Sequence, residues 1–156
     1  MNTIAVITKE ELLKYWLGHR NLTKRVIEKF PEDKLFTFSL ANMRTFGEMA
    51  NELIAIAVPG LTGIVNQTVE AYGEKNSYNT KVEILAIWDQ HTEELKQLWA
   101  QLQEEDFHKT FNLFGQYEFP IIDNILYFID NEIHHRGQGY VYLRALGIEP
   151  PFFWER

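Results

Sequence analysis

Apolar residues recur with a helical period in four long stretches of the chain. The first stretch follows Thr8, carries acidic residues in its opening turn and stops before Pro31, so it predicts a helix over residues 8–30. The residue before a proline is driven out of the α region, which explains the stop. A polar loop over 32–34 is expected to follow.

The second stretch begins near Asn42 or Arg44 and continues beyond Pro59-Gly60. Because the apolar spacing resumes after the proline, the pattern predicts one kinked helix rather than two. Its apolar positions include Phe46, Met49, Leu53, Ile56, Leu61, Ile64 and Val65.

The third stretch gives the clearest helical pattern. Residues 72–78 have the composition of a loop, and Asn79 stands in an N-cap position with Glu83 close behind. The stripe that follows advances by alternating threes and fours, the period of helices packed in a bundle. It consists of Leu85, Trp88, Thr92, Leu95, Trp99 and Leu102.

A polar segment over 103–116 precedes the fourth stretch and is interpreted as a short hairpin or an extended arm. Pro120 suits the first turn of a helix running to about Leu146, and Gly147 suits its end. Four long amphipathic helices without a sustained strand pattern predict an all-α four-helix bundle. We expect one domain over 1–156, with long connections after the second and third helices.

Charge and composition restrict the function. A net charge of −7 argues against a surface that neutralises phosphates, so nucleic acid is an unlikely partner class. The absence of cysteine excludes thiolate metal sites and a cysteine nucleophile, and fits a reducing compartment. Residues 1–7 lack the features of a signal peptide, and no apolar run approaches a membrane span. We therefore expect a cytoplasmic protein with no membrane partner.

Polar residues concentrate in the fourth helix, where Asn131 and His135 lie at i and i+4 on the face that carries Phe128 and Tyr142. If that face is buried, the polar pair must be hydrogen-bonded, metal-bound or near a pocket. Glu52 lies at the edge of the apolar stripe of the second helix and can reach inward. These three side chains offer ligand atoms for a divalent ion. The alternative is that Asn131 and His135 form hydrogen bonds with each other or with nearby backbone, while Glu52 faces solvent.

The remaining polar residues have simpler interpretations. His134 is turned about 100° from His135 around the helix, so it cannot serve the same site. Arg136 and Gln138 are expected to brace neighbouring helices, and the glycines at 137 and 139 to permit close packing. We interpret three histidines as ordinary surface, core-edge or loop residues: His19, His91 and His108. The aromatic tail either caps the bundle end or contacts a second subunit, through Phe152, Phe153 and Trp154.

Three segments of the chain carry recognisable motifs. Residues 132–138 read EIHHRGQ and residues 142–151 read YLRALGIEPP, and together they resemble the last helix of the DinB/YfiT-like family. Residues 44–48, RTFGE, look like the start of its second helix. The resemblance implies a four-helix bundle, usually a homodimer. It also implies a divalent metal such as zinc or nickel, held by one histidine of the second helix and two of the fourth.

Matched position by position, the chain departs from that ligand set. His135 keeps the last histidine, but Asn131 and Glu52 stand where the other two are expected. Imidazole suits zinc and nickel better than a neutral amide does, so the substitutions weaken the predicted site. A site of Glu52, Asn131 and His135 completed by water remains one hypothesis.

Two functions remain open at this point. The first is a metal-dependent enzyme, since the resemblance implies that some relatives are thiol transferases. In such an enzyme a thiol is a possible ligand, and the ion lowers the pKa of a bound thiol or water. The second is a non-catalytic, stress-related or ligand-binding homodimer whose former metal pocket has become a hydrogen-bonded cluster. Direct action on DNA ranks last, because the chain is acidic.

Overall fold

The computed structural model describes residues 3–73 and 77–156. Four long helices form its frame, which confirms the predicted all-α bundle with long connections after the second and third of them. The elements in chain order are α1 (Lys9–Lys29), α2 (Glu32–Leu35), α3 (Phe46–Asn66), α4 (Lys81–Gln101), a 3₁₀ helix (Glu104–His108), β1 (Thr110–Leu113), β2 (Tyr117–Pro120) and α5 (Ile121–Ala145).

Three of the long helices begin with the same local motif. A threonine hydroxyl accepts a hydrogen bond from the backbone of the third helical residue, and the glutamate there accepts one from the backbone of the threonine. The pairs are Thr8 with Glu11, Thr45 with Glu48 and Thr80 with Glu83. The N-cap of α4 is therefore Thr80, and the prediction of Asn79 was wrong by one residue. The Asn79 backbone N–H instead donates to Glu83, at 3.0 Å.

The helix ends also follow from local chemistry. α1 stops at Lys29 with Phe30 as its C-cap, as the following proline predicts. The expected polar loop after Pro31 instead contains the single-turn helix α2. At the end of α5, Gly147 has a φ of +75°, and the Ile148 backbone N–H donates to the Leu143 carbonyl at 2.9 Å. This left-handed glycine ends the helix as predicted.

The helix α3 runs without interruption through Pro59. A proline has no N–H, so the Ala55 carbonyl loses its ordinary helical partner. Pro59 is exposed, so the missing backbone hydrogen bond lies on the outer side of the helix. By length and mean hydropathy, 1.3, α3 is apolar enough to cross a membrane, contrary to the sequence expectation. Most of it is buried against α4 and α5, as in a core helix.

Aromatic rings fill the interior at both ends of the bundle. Trp16 lies 6.1 Å from the Phe128 ring, and Phe30 stacks on Phe46 at 4.7 Å between centroids. A Cβ at Gly139 would come within 2.6 Å of the Phe46 ring, so this glycine permits the close packing that was predicted. Gly137 has open space beside it, and the same prediction for that residue was wrong.

The connection between α4 and α5 contains a β-hairpin, the first of the two structures considered for it. β1 and β2 pair antiparallel, with Thr110 opposite Pro120. Phe114 and Gly115 both have positive φ in the turn, at 56° and 73°. Phe111 is buried, so the hairpin covers one end of the core. Pro120 is the N-cap of α5, one residue before the predicted position.

Candidate functional site

The structure brings two of the three predicted site residues together. Glu52 lies in the second turn of α3, and His135 lies in α5. The His135 Nε2 atom is 3.2 Å from Glu52 Oε1. Phe128 and Tyr142, on the same face of α5 as His135, are both buried as expected. Glu52 keeps only 17% of its side-chain exposure, so the alternative in which it faces solvent is wrong.

The His135 ring has an oxygen at each nitrogen. Its Nδ1 atom lies 2.8 Å from Gln138 Oε1, and its Nε2 faces Glu52. These two contacts fix the orientation of the imidazole ring between Gln138 and α3. Gln138 thus holds a ring of its own helix, whereas it was predicted to brace a neighbouring helix.

Arg44 forms an ion pair with the second carboxylate oxygen of Glu52. It stands immediately before the N-cap of α3, and its backbone carbonyl accepts a hydrogen bond from the Tyr142 hydroxyl at 2.7 Å. Burial alone would raise the pKa of the Glu52 carboxyl. The hydrogen bond from Arg44 and the charges of His135 and Arg44 outweigh burial and hold that pKa below its ordinary value.

Asn131 does not join this group. Within the described residues its Nδ2 atom is buried without a hydrogen-bond partner, and it makes no hydrogen bond to His135. The alternative in which Asn131 and His135 satisfy each other is therefore wrong. An unpaired buried amide is costly, which makes Asn131 the weak point of this face.

These side chains fit a zinc or nickel ion poorly. Within 3–73 and 77–156, no group of three or more histidine, cysteine, aspartate or glutamate residues converges. The set offers one imidazole, one carboxylate already paired with a guanidinium, and a neutral amide. The metal site of Glu52, Asn131 and His135 stays a prediction.

A second polar cluster, not found from the sequence, lies inside the bundle between α1, α4 and α5. Glu132 is 2% exposed and accepts a hydrogen bond from the Thr23 hydroxyl at 2.7 Å. The guanidinium nitrogens of Arg20 and Arg136 lie 3.9 and 3.8 Å from its carboxylate oxygens. Burial raises the pKa of Glu132, whereas Arg20, Thr23 and Arg136 act to lower it. The i, i+4 spacing of Glu132 and Arg136 was the available sequence signal.

Each arginine of this cluster also bonds to backbone. Arg20 donates to the Trp88 carbonyl at 3.1 Å, and its guanidinium lies 4.0 Å from the centre of the Trp88 ring. Arg136 donates to the His19 carbonyl at 3.1 Å, which confirms that it braces a neighbouring helix. The buried charges therefore tie α5 and α4 to α1.

His19 belongs to this cluster and is 4% exposed, so its interpretation as a surface or core-edge residue was wrong. Its Nδ1 atom lies 2.9 Å from Arg136 Nη2, so that nitrogen is the acceptor of the neutral ring. Burial, with the charges of Arg136 and Arg156, lowers the pKa of His19 to about 4.

The other singled-out residues lie apart from both clusters. His134 and His108 are exposed, and His91 is half-buried on α4, in line with their interpretation. The aromatic tail does not cap the bundle, because Phe153 and Trp154 are 68% and 61% exposed. The other interpretation, that the tail contacts a second subunit, stays a prediction.

Comparison with known proteins identifies the family. The model described as "DinB family" matches residues 1–155. The chain is similar to the uncharacterized protein YjoA of Bacillus subtilis strain 168, with 22% identity over 149 residues, 94% of this chain and 96% of the relative.

Two crystal structures share the fold. A DinB-like protein from Bacillus cereus ATCC 10987 has a TM-score of 0.73 at 19% identity, covering 93% of this chain and 97% of that one. The DinB-like YjoA of Bacillus subtilis has a TM-score of 0.72 at 20% identity, covering 93% and 99%. Since the family model matches nearly the whole length of the sequence, this chain belongs to the DinB family.

Proposed function

We propose that this chain is a metal-independent, non-catalytic binding bundle that works as a homodimer. In this proposal the cluster at Glu52 is structural, and it joins the start of α3 to α5 without an ion. The observation that carries it is the ion pair between Arg44 and Glu52, because a guanidinium lies on the carboxylate that a metal would need.

The charge distribution supports this reading. Arg44 places a guanidinium on one oxygen of Glu52, and the His135 imidazole lies against the other. A divalent ion bound by this carboxylate would lie close to the guanidinium, which like-charge repulsion opposes. The neutral amide of Asn131 cannot compensate for a lost imidazole.

The exposed aromatic tail supports the homodimer. Phe153 and Trp154 pack edge to face at 5.3 Å and present apolar surface to solvent. Contiguous exposed apolar groups of this kind are typical of interaction surfaces. The cytoplasmic location stays a prediction.

Elemental mass spectrometry of untagged protein tests the metal-free proposal. Wild type, His135→Ala and the exposed-histidine control His108→Ala are incubated with zinc or nickel, dialysed and analysed. We expect far less than about one equivalent of metal in all three proteins, since a ligand set with one imidazole holds these ions weakly.

One equivalent in wild type and His108→Ala, absent from His135→Ala, would overturn the proposal. That outcome would favour the metal-dependent enzyme, and transfer of thiols to electrophilic substrates would be the first activity to assay.

A further inference from the structure

A cavity of about 460 Å³ lies on the outer side of α3, where the connection to α4 and the hairpin fold against it. This volume is within the range of small-molecule sites, about 300–1,000 Å³. Glu52 and His135 are not among its lining residues, so it is separate from the charged cluster.

The walls of this cavity are mainly apolar. α3 contributes Ile54 and Pro59, and the hairpin contributes the rings of Phe111 and Phe114. Gly63 allows the connecting segment to close one side, because a Cβ there would come within 2.8 Å of the Thr68 carbonyl. Flat, apolar walls of this kind favour a ring-shaped ligand.

The α3 wall presents hydrogen-bond acceptors to the cavity. Pro59 leaves the Ala55 carbonyl without its helical donor, and both residues line the cavity. The Thr62 hydroxyl already donates to the Val58 carbonyl at 2.8 Å, so it has only acceptor capacity left for a ligand. A bound molecule with a donor beside Ala55 and Thr62 can therefore satisfy one of these acceptors.

The charges around the cavity disfavour an anion. Its described lining contains no lysine or arginine, and its one carboxylate, Glu70, has an interaction partner already and repels an anion as well. His91 lies at the far side on α4, and burial lowers the pKa of its imidazole, so the ring is neutral at pH 7.

We infer that this cavity binds an uncharged aromatic molecule whose N–H or O–H donates to the Ala55 carbonyl, as an indole or a phenol would. The inference goes beyond the metal-free bundle proposed above and does not depend on it, because the two sites share no residue.

Indole and benzofuran make a matched pair of probes, since they have nearly the same shape and only indole carries a donor. Isothermal titration of wild type is expected to give an affinity for indole about fivefold higher than for benzofuran, the effect of one hydrogen bond of about 1 kcal/mol. In Pro59→Ala, the new N–H at residue 59 takes the Ala55 carbonyl, so the two probes should bind equally.

A second variant tests the location. Ala55→Leu fills the cavity and should weaken both probes at least about tenfold. Ala100→Leu, at an exposed position of α4 outside the cavity, is the control and should bind as wild type does. Circular dichroism establishes that each variant is folded. Thr62→Leu, which also fills the cavity from α3 and should weaken both probes, replaces Ala55→Leu if that protein does not fold.

Three results would overturn the inference. They are the absence of saturable indole binding to wild type, equal affinities for the two probes in wild type, and an indole preference that survives in Pro59→Ala. None of these results would alter the metal measurement on His135→Ala.

Discussion

The imidazole of His135 reaches across from α5 to lie 3.2 Å from the carboxylate of Glu52 on α3. Arg44 holds the other oxygen of that carboxylate, and Gln138 holds the other nitrogen of the ring. The four side chains form a line across the face where relatives are expected to place a metal. In this chain that face is stabilised by paired charges, and its energetics can be measured directly.

Removing the imidazole should destabilise the bundle modestly. For His135→Ala we expect the free energy of unfolding to fall by about 1–3 kcal/mol, because a largely buried carboxylate loses a hydrogen-bond partner. Urea denaturation measures this change. Glu93→Gln, which removes an exposed ion pair with Lys96, is the control and should cost less than about 0.5 kcal/mol. Equal effects of the two variants would contradict a structural role for the His135 contact.

Removing the buried carboxylate should be far more damaging. Glu132→Ala leaves the guanidiniums of Arg20 and Arg136 buried without a counter-charge, and we expect a loss of about 3–5 kcal/mol. The same denaturation experiment applies. Glu118→Ala, at an exposed position of β2, should stay close to wild type. A loss below about 1 kcal/mol for Glu132→Ala would mean that the arginines do not depend on this carboxylate.

The buried histidine predicts a pH dependence of stability. In the unfolded chain the pKa of His19 is its ordinary value of 6.5, whereas in the folded chain it is lowered to about 4. Between these values the unfolded state binds more protons, so the free energy of unfolding should fall as the pH drops from 6.5 to 4, by roughly 2 kcal/mol.

His19→Gln keeps an acceptor for Arg136 but cannot titrate, so unfolding measured across this pH range should show a shallower slope. His108→Gln changes an exposed histidine and should keep the slope of wild type. An unchanged slope in His19→Gln would disprove the assignment of this acid sensitivity to His19.

Two glycines separated by one residue in α5 should respond in opposite ways to alanine. Gly139→Ala places a methyl group within 2.6 Å of the Phe46 ring and should cost about 1–3 kcal/mol. Gly137→Ala meets open space and should stabilise the helix by up to about 1 kcal/mol. Thermal unfolding separates the two, and a stabilising Gly139→Ala would contradict the packing described here.

The aromatic tail offers a test of the proposed homodimer. Replacing Phe153 and Trp154 together by serine should convert a dimer to a monomer, as measured by light scattering after size-exclusion chromatography. Val82→Ser removes an equally exposed apolar side chain from the start of α4 and should leave the mass unchanged. A wild-type protein that is already monomeric would contradict the proposal.

The sequence predicted what local chemistry determines. Thr8, Pro31 and Gly147 mark helix ends where they were predicted, whereas the N-cap Thr80 was missed by one residue. The stripe from Leu85 to Leu102 gave a helix whose buried positions include Trp88, Leu95 and Trp99. Pairing across the bundle was harder to predict, because periodicity places a residue on a face without identifying its partner. His135 was expected either to pair with Asn131 or to share a site with Asn131 and Glu52, and it meets Glu52 without Asn131. His19 was missed for the same reason, since its neighbours in sequence say nothing of Arg136.

The order of contacts in the bundle has a consequence for how the chain acquires its structure. α1 packs against α4 and α5, so its partners are the last two long helices to be made. The hydrogen bond from Thr23 to Glu132 closes a loop of more than a hundred residues. The chain loses conformational entropy when this loop closes, before the stabilising contacts form. During synthesis, therefore, Arg20 of α1 lacks the Glu132 carboxylate until α5 has emerged from the ribosome. We expect the bundle to complete its folding only after α5 has been translated.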